Sequence, residues 1–153
     1  MSTVLPGKAG EFEPLAEAEA ERWRRFGQWE RVHFFQLVGM QVEEVRRDYC
    51  RMLLPYRPEL EQGAGLVHGG AIASLLDTVV VPAIGSAYGP DAEFATVDLH
   101  VQYLAPLLAE DARAEGWVVK RGRSVVFCEA EARGAASARL VARALLTYSV
   151  RNV

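Results

Sequence analysis

The sequence predicts an α+β domain in which an antiparallel sheet curls around one long helix. Residues 71–83 are apolar on nearly every side, which is typical of a helix enclosed by protein. Two strand-like segments precede this helix and four follow it, and strands segregated around a single helix favour the α+β class. The length of 153 residues allows one hydrophobic core but is too short for two.

The N-terminal segment is rich in Gly, Pro and small polar residues, so we expect a flexible arm over residues 1–12 and a single domain over residues 13–153. A helix is predicted from Pro14 onward. Its acidic residues come first, its arginines follow, and Gly27 stands near its end, which suits the helix dipole. Its inner face would consist of Leu15, Trp23 and Phe26.

Residues 37–47 alternate nearly in step between apolar and polar types, which predicts a first strand from Leu37 to a turn at Arg47 and Asp48. A second strand is expected over residues 49–55. In the central helix that follows, Pro82 must kink the last turn or lie close to its end, because proline removes a helix hydrogen bond.

Residues 94–104 alternate cleanly, and three more strands are predicted near 112–120, 124–132 and 138–150. Turn signals at Gly122 and Gly134 separate them. The alternation in the first of these strands predicts one face made of Val97, Leu99, Val101 and Tyr103, and the other made of Thr96, Asp98, His100 and Gln102.

Composition excludes several classes of protein. The net charge of −3 gives no basic field for nucleic acid. Two cysteines, Cys50 and Cys128, make a disulfide framework improbable and indicate a reduced, cytoplasmic compartment, where both would be core thiols. The opening residues have no apolar run of signal-peptide length, and no run of about 18 apolar residues occurs, so we expect neither secretion nor membrane insertion.

Several familiar catalytic and cofactor motifs are absent from the sequence, namely the GxSxG elbow, the P-loop and HExxH. Gly63 and Gly65 begin a dinucleotide fingerprint, but His68 stands where its third glycine should be. The histidines are too scattered for metal ligation. We therefore expect no metal and no redox cofactor.

The start of the central helix is a candidate oxyanion site. Gly69 and Gly70 open it, where backbone N–H groups lack partners within the helix and glycine permits close approach of a carbonyl substrate. The alternative is that the two glycines only form a tight loop-to-helix turn. His68 stands where a helix cap belongs, and a capping role is as compatible with its position as a contact with substrate.

Asp77 is the candidate catalytic carboxylate, because it lies on a helix that otherwise has hardly any polar face. A carboxyl group in such surroundings can serve as a general base or a nucleophile. The alternative is a structural Asp, hydrogen-bonded to Ser74, to Thr78 or to backbone at a subunit interface.

Three cations lie close together on the predicted turn between residues 120 and 124. Arginine suits phosphate recognition because its planar fork makes paired hydrogen bonds, so Arg121, Arg123 and Ser124 are candidates for holding a nucleotide-bearing substrate. Solvated turns often carry similar charges, and that alternative stays open.

Three segments together resemble the hotdog-fold acyl-CoA thioesterases of the phenylacetic-acid-degradation type, within the 4-hydroxybenzoyl-CoA thioesterase superfamily. The resemblance covers about residues 35–150. Its most specific motif is HGG followed by Asp seven residues after the second Gly. The segments are GLVHGGAIASLLDTVVVPA, TVDLHVQYLAP and KRGRSVVFCEAEAR.

The resemblance implies a long helix wrapped by an antiparallel sheet, with an extra N-terminal helix here, and two subunits joined edge to edge with active sites between them. Dimers of dimers are common in such families. The substrate would be an acyl-CoA, hydrolysed to the free acid and CoA without a cofactor.

The resemblance also implies residue roles. Asp77 would act as base or nucleophile, and the Gly69 amide would polarise the thioester carbonyl. Gln62, where close relatives often carry Asn, would orient water through its longer amide. Thr96 matches a Ser or Thr that holds the attacking water.

Two rival functions remain. Hotdog hydratases and dehydratases usually pair a His with a carboxylate at the helix, whereas His68 precedes this helix and Asp77 is alone within it. A non-catalytic acyl-CoA-binding module is the other rival, since fold alone does not establish activity.

Overall fold

The computed structural model describes residues 7–151. Its antiparallel six-stranded sheet has the order β1-β2-β4-β5-β6-β3 and packs against the longest helix, α3. The strands are β1 Gln41–Arg46, β2 Tyr49–Leu54, β3 Glu93–Tyr103, β4 Ala112–Arg121, β5 Val125–Gly134 and β6 Leu140–Arg151, and the α-helices are α1 Glu17–Arg24, α2 Phe34–Val38 and α3 Gly69–Gly85. The predicted α+β class, with one long central helix and an extra N-terminal helix, is confirmed.

The core forms where α3 packs on the inner face of the sheet. At β4, Gly116 has no side chain, and a Cβ there would lie 2.8 Å from Val79 and 2.9 Å from Val80. The glycine therefore lets the helix approach the strand closely. Each fully buried aliphatic side chain contributes roughly 1.5–3 kcal/mol to this packing. Those of α3 with no exposure, apart from the small Ala83, are Leu75, Leu76, Val79, Val80 and Ile84.

The opposite face of α3 is only partly covered. Ser74, Asp77, Thr78 and Val81 follow one another at helical spacing and are all half-buried in the single chain. The prediction of the helix and of Pro82 in its last turn is confirmed. The expectation that protein encloses the helix all round does not hold for one chain, because the sheet covers only one side.

Helix α1 packs against the C-terminal end of α3. Trp23 is buried there because Gly85 has no side chain, and a Cβ at Gly85 would lie 2.4 Å from the Trp23 ring. Phe26 continues the contact by meeting Phe35 of α2 edge to face, with ring centroids 5.1 Å apart. The predicted N-terminal helix is thus present, although it begins at Glu17 and Pro14 instead bridges to the end of β1.

The predicted strand from Leu37 is wrong at its start, because residues 34–38 form α2. Local capping explains the difference. The His33 N–H donates to the Gln36 side chain at 3.0 Å, and Gly39 ends the helix in the left-handed conformation at φ 85°. The strand begins only at Gln41, and the turn at Arg47 and Asp48 follows it as predicted.

The predicted arm over residues 1–12 lies partly outside the described residues. Within the described part, Lys8–Glu11 form a 3-10 helix. The Lys8 N–H donates to Glu115 on β4 at 2.8 Å, and the Lys8 ammonium lies 4.7 Å from the centre of the Trp117 ring. These contacts attach this segment to the outer face of the sheet.

A β-bulge interrupts the alternation of β3. Thr96 pairs with Tyr148 of β6 and Asp98 pairs with Thr147, so Val97 has no partner on that strand. The extra residue turns Thr96 to the helix side of the sheet, together with Leu99. The prediction that Thr96 shares a face with Asp98 is therefore wrong, because strict alternation holds only where residues pair one to one.

Two further sequence expectations concern the interior and the membrane. Cys50 and Cys128 are free and buried, as expected for core thiols. Burial raises the pKa of both thiols, that of Cys128 to about 12. Among residues 7–151, no helix combines the length and the apolar character needed to cross a membrane.

Candidate active site

The carboxylate of Asp77 faces two strands that lie side by side, β3 and β6. The Thr96 hydroxyl donates to it, with distances of 3.1 Å to Oδ1 and 3.3 Å to Oδ2. The Tyr148 hydroxyl lies 2.7 Å from Oδ1 and 2.7 Å from the main-chain carbonyl oxygen of Asp77. Two hydroxyl donors from adjacent strands therefore hold a carboxylate that stays partly exposed.

In the alternative interpretation, Asp77 has a structural role and is hydrogen-bonded to Ser74 or Thr78 of its own helix. Both are engaged elsewhere, since Ser74 donates to the Gly70 carbonyl and Thr78 donates to the Ser74 carbonyl, each at 2.7 Å. Such bonds to the preceding turn are common for Ser and Thr within helices. Asp77 is thus oriented by the sheet and not by its helical neighbours.

Tyr148 is a site residue that the sequence analysis missed. It is 3% exposed, and burial, followed by its hydrogen bond to Asp77, raises its pKa well above the ordinary value, so it remains a protonated donor. One sequence signal could have revealed it. On the inner face of β6 it follows Ala142, Ala144 and Leu146, and it alone of the four has a polar end.

The first turn of α3 has one occupied amide and one open amide. The Gly70 N–H donates to Nδ1 of His68 at 2.8 Å, which confirms His68 as the N-cap. The Gly69 N–H has no hydrogen-bond partner among the described residues. Of the two predicted glycines, Gly69 is therefore the one whose amide is available to a substrate carbonyl.

Tyr103 explains why a glycine occupies position 69. Its hydroxyl donates to the Gly69 carbonyl at 2.6 Å, and a Cβ on Gly69 would lie 3.1 Å from the Tyr103 ring. A larger residue would displace the ring that anchors this peptide. Tyr103 lies at the end of β3, so the same strand supports both ends of the candidate site.

The two candidate catalytic groups lie well apart within one chain. Asp77 comes eight residues after Gly69 on the same helix. At the rise of an α-helix this separation is about 12 Å along the axis. One carbonyl group of a ligand therefore cannot contact the Gly69 amide and also lie beside the Asp77 carboxylate of the same chain.

Gln62 lies in the loop before α3, where the sequence predicted a water-orienting amide. Its Oε1 accepts a hydrogen bond from the Ala64 N–H at 2.6 Å, and its main chain bonds to Leu66 and Gly65. The side-chain oxygen thus shapes its own loop. The NH₂ group makes no hydrogen bond within the part of the chain described here and is the end available to water.

The two arginines of the hairpin between β4 and β5, Arg121 and Arg123, lie in different surroundings. The Arg121 guanidinium turns inward, where Nε donates to Asp48 at 2.9 Å and Nη2 donates to the Ile84 carbonyl at 3.0 Å. It therefore closes the C-terminal end of α3, where a cation also suits the helix dipole. Arg123 and Ser124 are exposed at the tip of the turn.

The described residues contain no group of three or more His, Cys, Asp or Glu side chains that could hold a metal ion. The arrangement instead offers a carboxylate with hydroxyl donors and a separate backbone amide. Chemically, such groups can activate water and polarise a carbonyl.

The chain is similar to one protein family and to several individual proteins. A family model described as the thioesterase superfamily matches residues 64–140, which include Gly69, Asp77 and Thr96. A protein of Halobacterium salinarum, provisionally named an esterase, is 37% identical over 97 residues, covering 60% of this chain and 64% of the relative. The chain thus matches just under two thirds of that relative's length.

Solved structures show the same fold. A conserved protein of Pseudomonas aeruginosa superposes with a TM-score of 0.74 at 26% identity, covering 79% of this chain and 95% of the other. A thioesterase of Haemophilus influenzae gives 0.77 at 18% identity, covering 92% and 94%. The PaaI protein from the phenylacetic acid degradation operon of E. coli gives 0.75 at 16% identity, covering 86% and 93%.

Proposed function

Because the chain belongs to the thioesterase superfamily, we propose that it hydrolyses an acyl-CoA thioester to the free acid and CoA. One observation carries the proposal. The carboxylate of Asp77 is held by two hydroxyls but stays partly exposed, and the Gly69 amide at the start of the same helix has no partner within the described residues. Acyl transfer to water needs a base and an oxyanion donor of this kind.

In the proposed reaction, Asp77 accepts a proton from a water molecule held by Thr96, and the water oxygen attacks the thioester carbonyl carbon. The Gly69 N–H of a second copy of the chain donates to the resulting oxyanion. Collapse of the tetrahedral intermediate breaks the C–S bond, and the proton returns from Asp77 to the departing CoA sulfur. Gln62 would help to orient the water through its NH₂ group.

A nucleophilic route remains the competitor, in which Asp77 itself forms an anhydride with the acyl group. A single turnover in oxygen-18-labelled water separates the two routes. Under base catalysis the first product acid carries the label and Asp77 stays unlabelled, whereas water that opens the anhydride at the Asp77 carbonyl carbon leaves an unlabelled Asp77 oxygen in that acid and the label in Asp77.

We further propose that each site is shared between two copies of the chain. The separation of about 12 Å between Gly69 and Asp77 along α3 is too long for one carbonyl, so Gly69 of one copy would act with Asp77 of another. The half-exposed face of α3 and the free edge of β3 are the surfaces that a second copy would cover. The assembly would be a dimer or a dimer of dimers.

For the CoA moiety we propose contact with the β4–β5 hairpin. Arg123 and Ser124 are exposed at its tip and offer a fork and a hydroxyl to phosphate oxygens. Arg121 is already bonded to Asp48 and to α3, so we assign it to supporting the turn and not to direct contact. The acyl group would lie in an apolar channel between subunits.

The proposal is tested by measuring CoA release across a panel of aromatic, short-chain and medium-chain acyl-CoAs, with wild type beside Asp77→Asn. We expect hydrolysis by wild type and a loss on the order of a hundredfold or more in kcat for the variant, because the base is removed while size and packing are kept. Binding without hydrolysis by wild type would favour the non-catalytic module, and a fully active Asp77→Asn would refute the base.

A further inference from the structure

The two oxygens of the Asp77 carboxylate are not equivalent. Oδ1 receives the Tyr148 hydroxyl at 2.7 Å and the Thr96 hydroxyl at 3.1 Å. Among residues 7–151, Oδ2 has only the longer contact of 3.3 Å with Thr96. Both hydroxyls thus lie nearer to Oδ1 than to Oδ2, and Oδ2 keeps more of its lone pairs for a further donor.

Tyr148 is itself a rigid support. Its side chain is 3% exposed, and it stands on β6 between β5 and β3, paired with Val126 on one side and Thr96 on the other. Its hydroxyl also lies 2.7 Å from the Asp77 main-chain carbonyl oxygen. The single hydroxyl proton is shared between the backbone carbonyl and Oδ1 of Asp77, so Tyr148 holds Oδ1 beside the helix backbone.

We propose that Tyr148 is a positioning residue, which holds Asp77 so that Oδ2 is the oxygen that takes the proton from the attacking water. The inference rests on the proposed hydrolytic function. A freely rotating carboxylate would present either oxygen in several directions, whereas proton transfer requires an acceptor within hydrogen-bonding distance of the water in a defined geometry.

The test is Tyr148→Phe, which removes one hydroxyl and keeps the ring. We expect kcat to fall roughly ten- to hundredfold while KM for acyl-CoA changes little, because the lost group orients the base and does not touch the substrate. In an Asp77→Asn background the same substitution should cause little further loss, since residues that act through one another are not additive.

Tyr49→Phe is the matched control. Tyr49 is also fully buried, its hydroxyl also donates to a carboxylate, that of Glu115, and its pKa is also raised by burial. It lies on β2 and belongs to no part of the proposed site. Its substitution should cost stability in the same way as Tyr148→Phe and leave kcat unchanged.

The outcomes separate this inference from the proposed function. If Asp77→Asn is inactive and Tyr148→Phe behaves like Tyr49→Phe, Tyr148 does not position the base, and the hydrolytic proposal stands. If Asp77→Asn is fully active, or wild type hydrolyses no thioester, the proposed mechanism fails and the positioning role fails with it.

A second variant covers the case in which Tyr148→Phe does not fold. Difluorotyrosine at position 148 keeps the shape of the side chain and makes its hydroxyl a stronger donor. A stronger donor stabilises the ionised carboxylate, so the acidic limb of the kcat/KM profile should move to lower pH. An unmoved limb would overturn the inference.

Discussion

Thr96 and Tyr148 face each other across β3 and β6, and both hydroxyls reach the carboxylate of Asp77 on the helix beneath them. The pairing exists because Val97 bulges out of the ladder immediately after Thr96. A single unpaired residue thus brings a hydroxyl from the sheet edge to the candidate base.

The contribution of Thr96 can be measured by Thr96→Val, which keeps the β-branched shape and removes the hydroxyl. We expect kcat to fall about tenfold, because both the bond to Asp77 and the proposed water contact are lost. The separate variant Thr96→Ser keeps the hydroxyl and should retain most of the wild-type activity. Thr147→Val, on the outer face of β6, is the control and should leave turnover unchanged; equal losses in both valine variants would contradict the role of Thr96.

We expect substitution of Arg123 to affect KM and substitution of Arg121 to affect stability. Arg123→Ala should raise KM for acyl-CoA, added salt should reproduce part of that rise, and hydrolysis of a small thioester without the nucleotide should be nearly unchanged. Steady-state kinetics on both substrates provide the measurement. If both substrates respond alike, or neither responds, Arg123 does not recognise CoA.

Arg121→Ala should act on stability. The substitution removes bonds to Asp48 and to the carbonyl at the end of α3, so the free energy of unfolding should drop by about 1–3 kcal/mol. Chemical denaturation of this variant beside Arg123→Ala gives the comparison. An unchanged unfolding midpoint for Arg121→Ala would show that its inward contacts contribute little.

The shared-site model predicts an assembly of two or four chains by light scattering. Val97 is 62% exposed on the edge strand β3, so Val97→Lys would place like charges near one another in an edge-to-edge pair and should shift the mass toward one chain with loss of activity. Val32→Lys, which changes a residue exposed by 63% in the loop before α2, is the control. An active wild-type monomer would refute the model.

Stability should decline at alkaline pH. Burial raises the pKa of the Cys50 and Cys128 thiols and of the Tyr49 and Tyr148 phenols, so folding favours their neutral forms. Their contribution to the free energy of unfolding is complete below the ordinary pKa values, which are 9.0 for Cys and 10.0 for Tyr. It is lost as the pH rises toward the raised pKa values.

The free energy of unfolding, measured by denaturant at about pH 7.5 and about pH 10, should therefore be lower at the higher pH. Cys128→Ala should reduce the size of that decline, because one of the four groups is removed. Stability that is constant or higher at the alkaline pH would contradict the expected linkage.

The sequence by itself determined the main elements of the fold and one half of the candidate site. Apolar periodicity predicted α3 and the six strands, and the spacing of His68, Gly69, Gly70 and Asp77 along one helix indicated where the chemistry lies. These signals are local, since residues a few positions apart on one helix have a fixed geometry. The early strand from Leu37 failed because Gly39 and the His33 cap favour a short helix that alternation alone does not reveal.

Only the tertiary structure decided what surrounds Asp77. Tyr148 lies 71 residues away in the chain and reaches the carboxylate because β6 crosses above α3, which no local pattern encodes. Thr96 faces the helix because the register of β3 against β6 leaves Val97 unpaired, and a bulge is a property of two strands together. Arg121 likewise turned inward because Asp48 and the end of α3 offered partners, whereas the sequence showed only a cation in a turn.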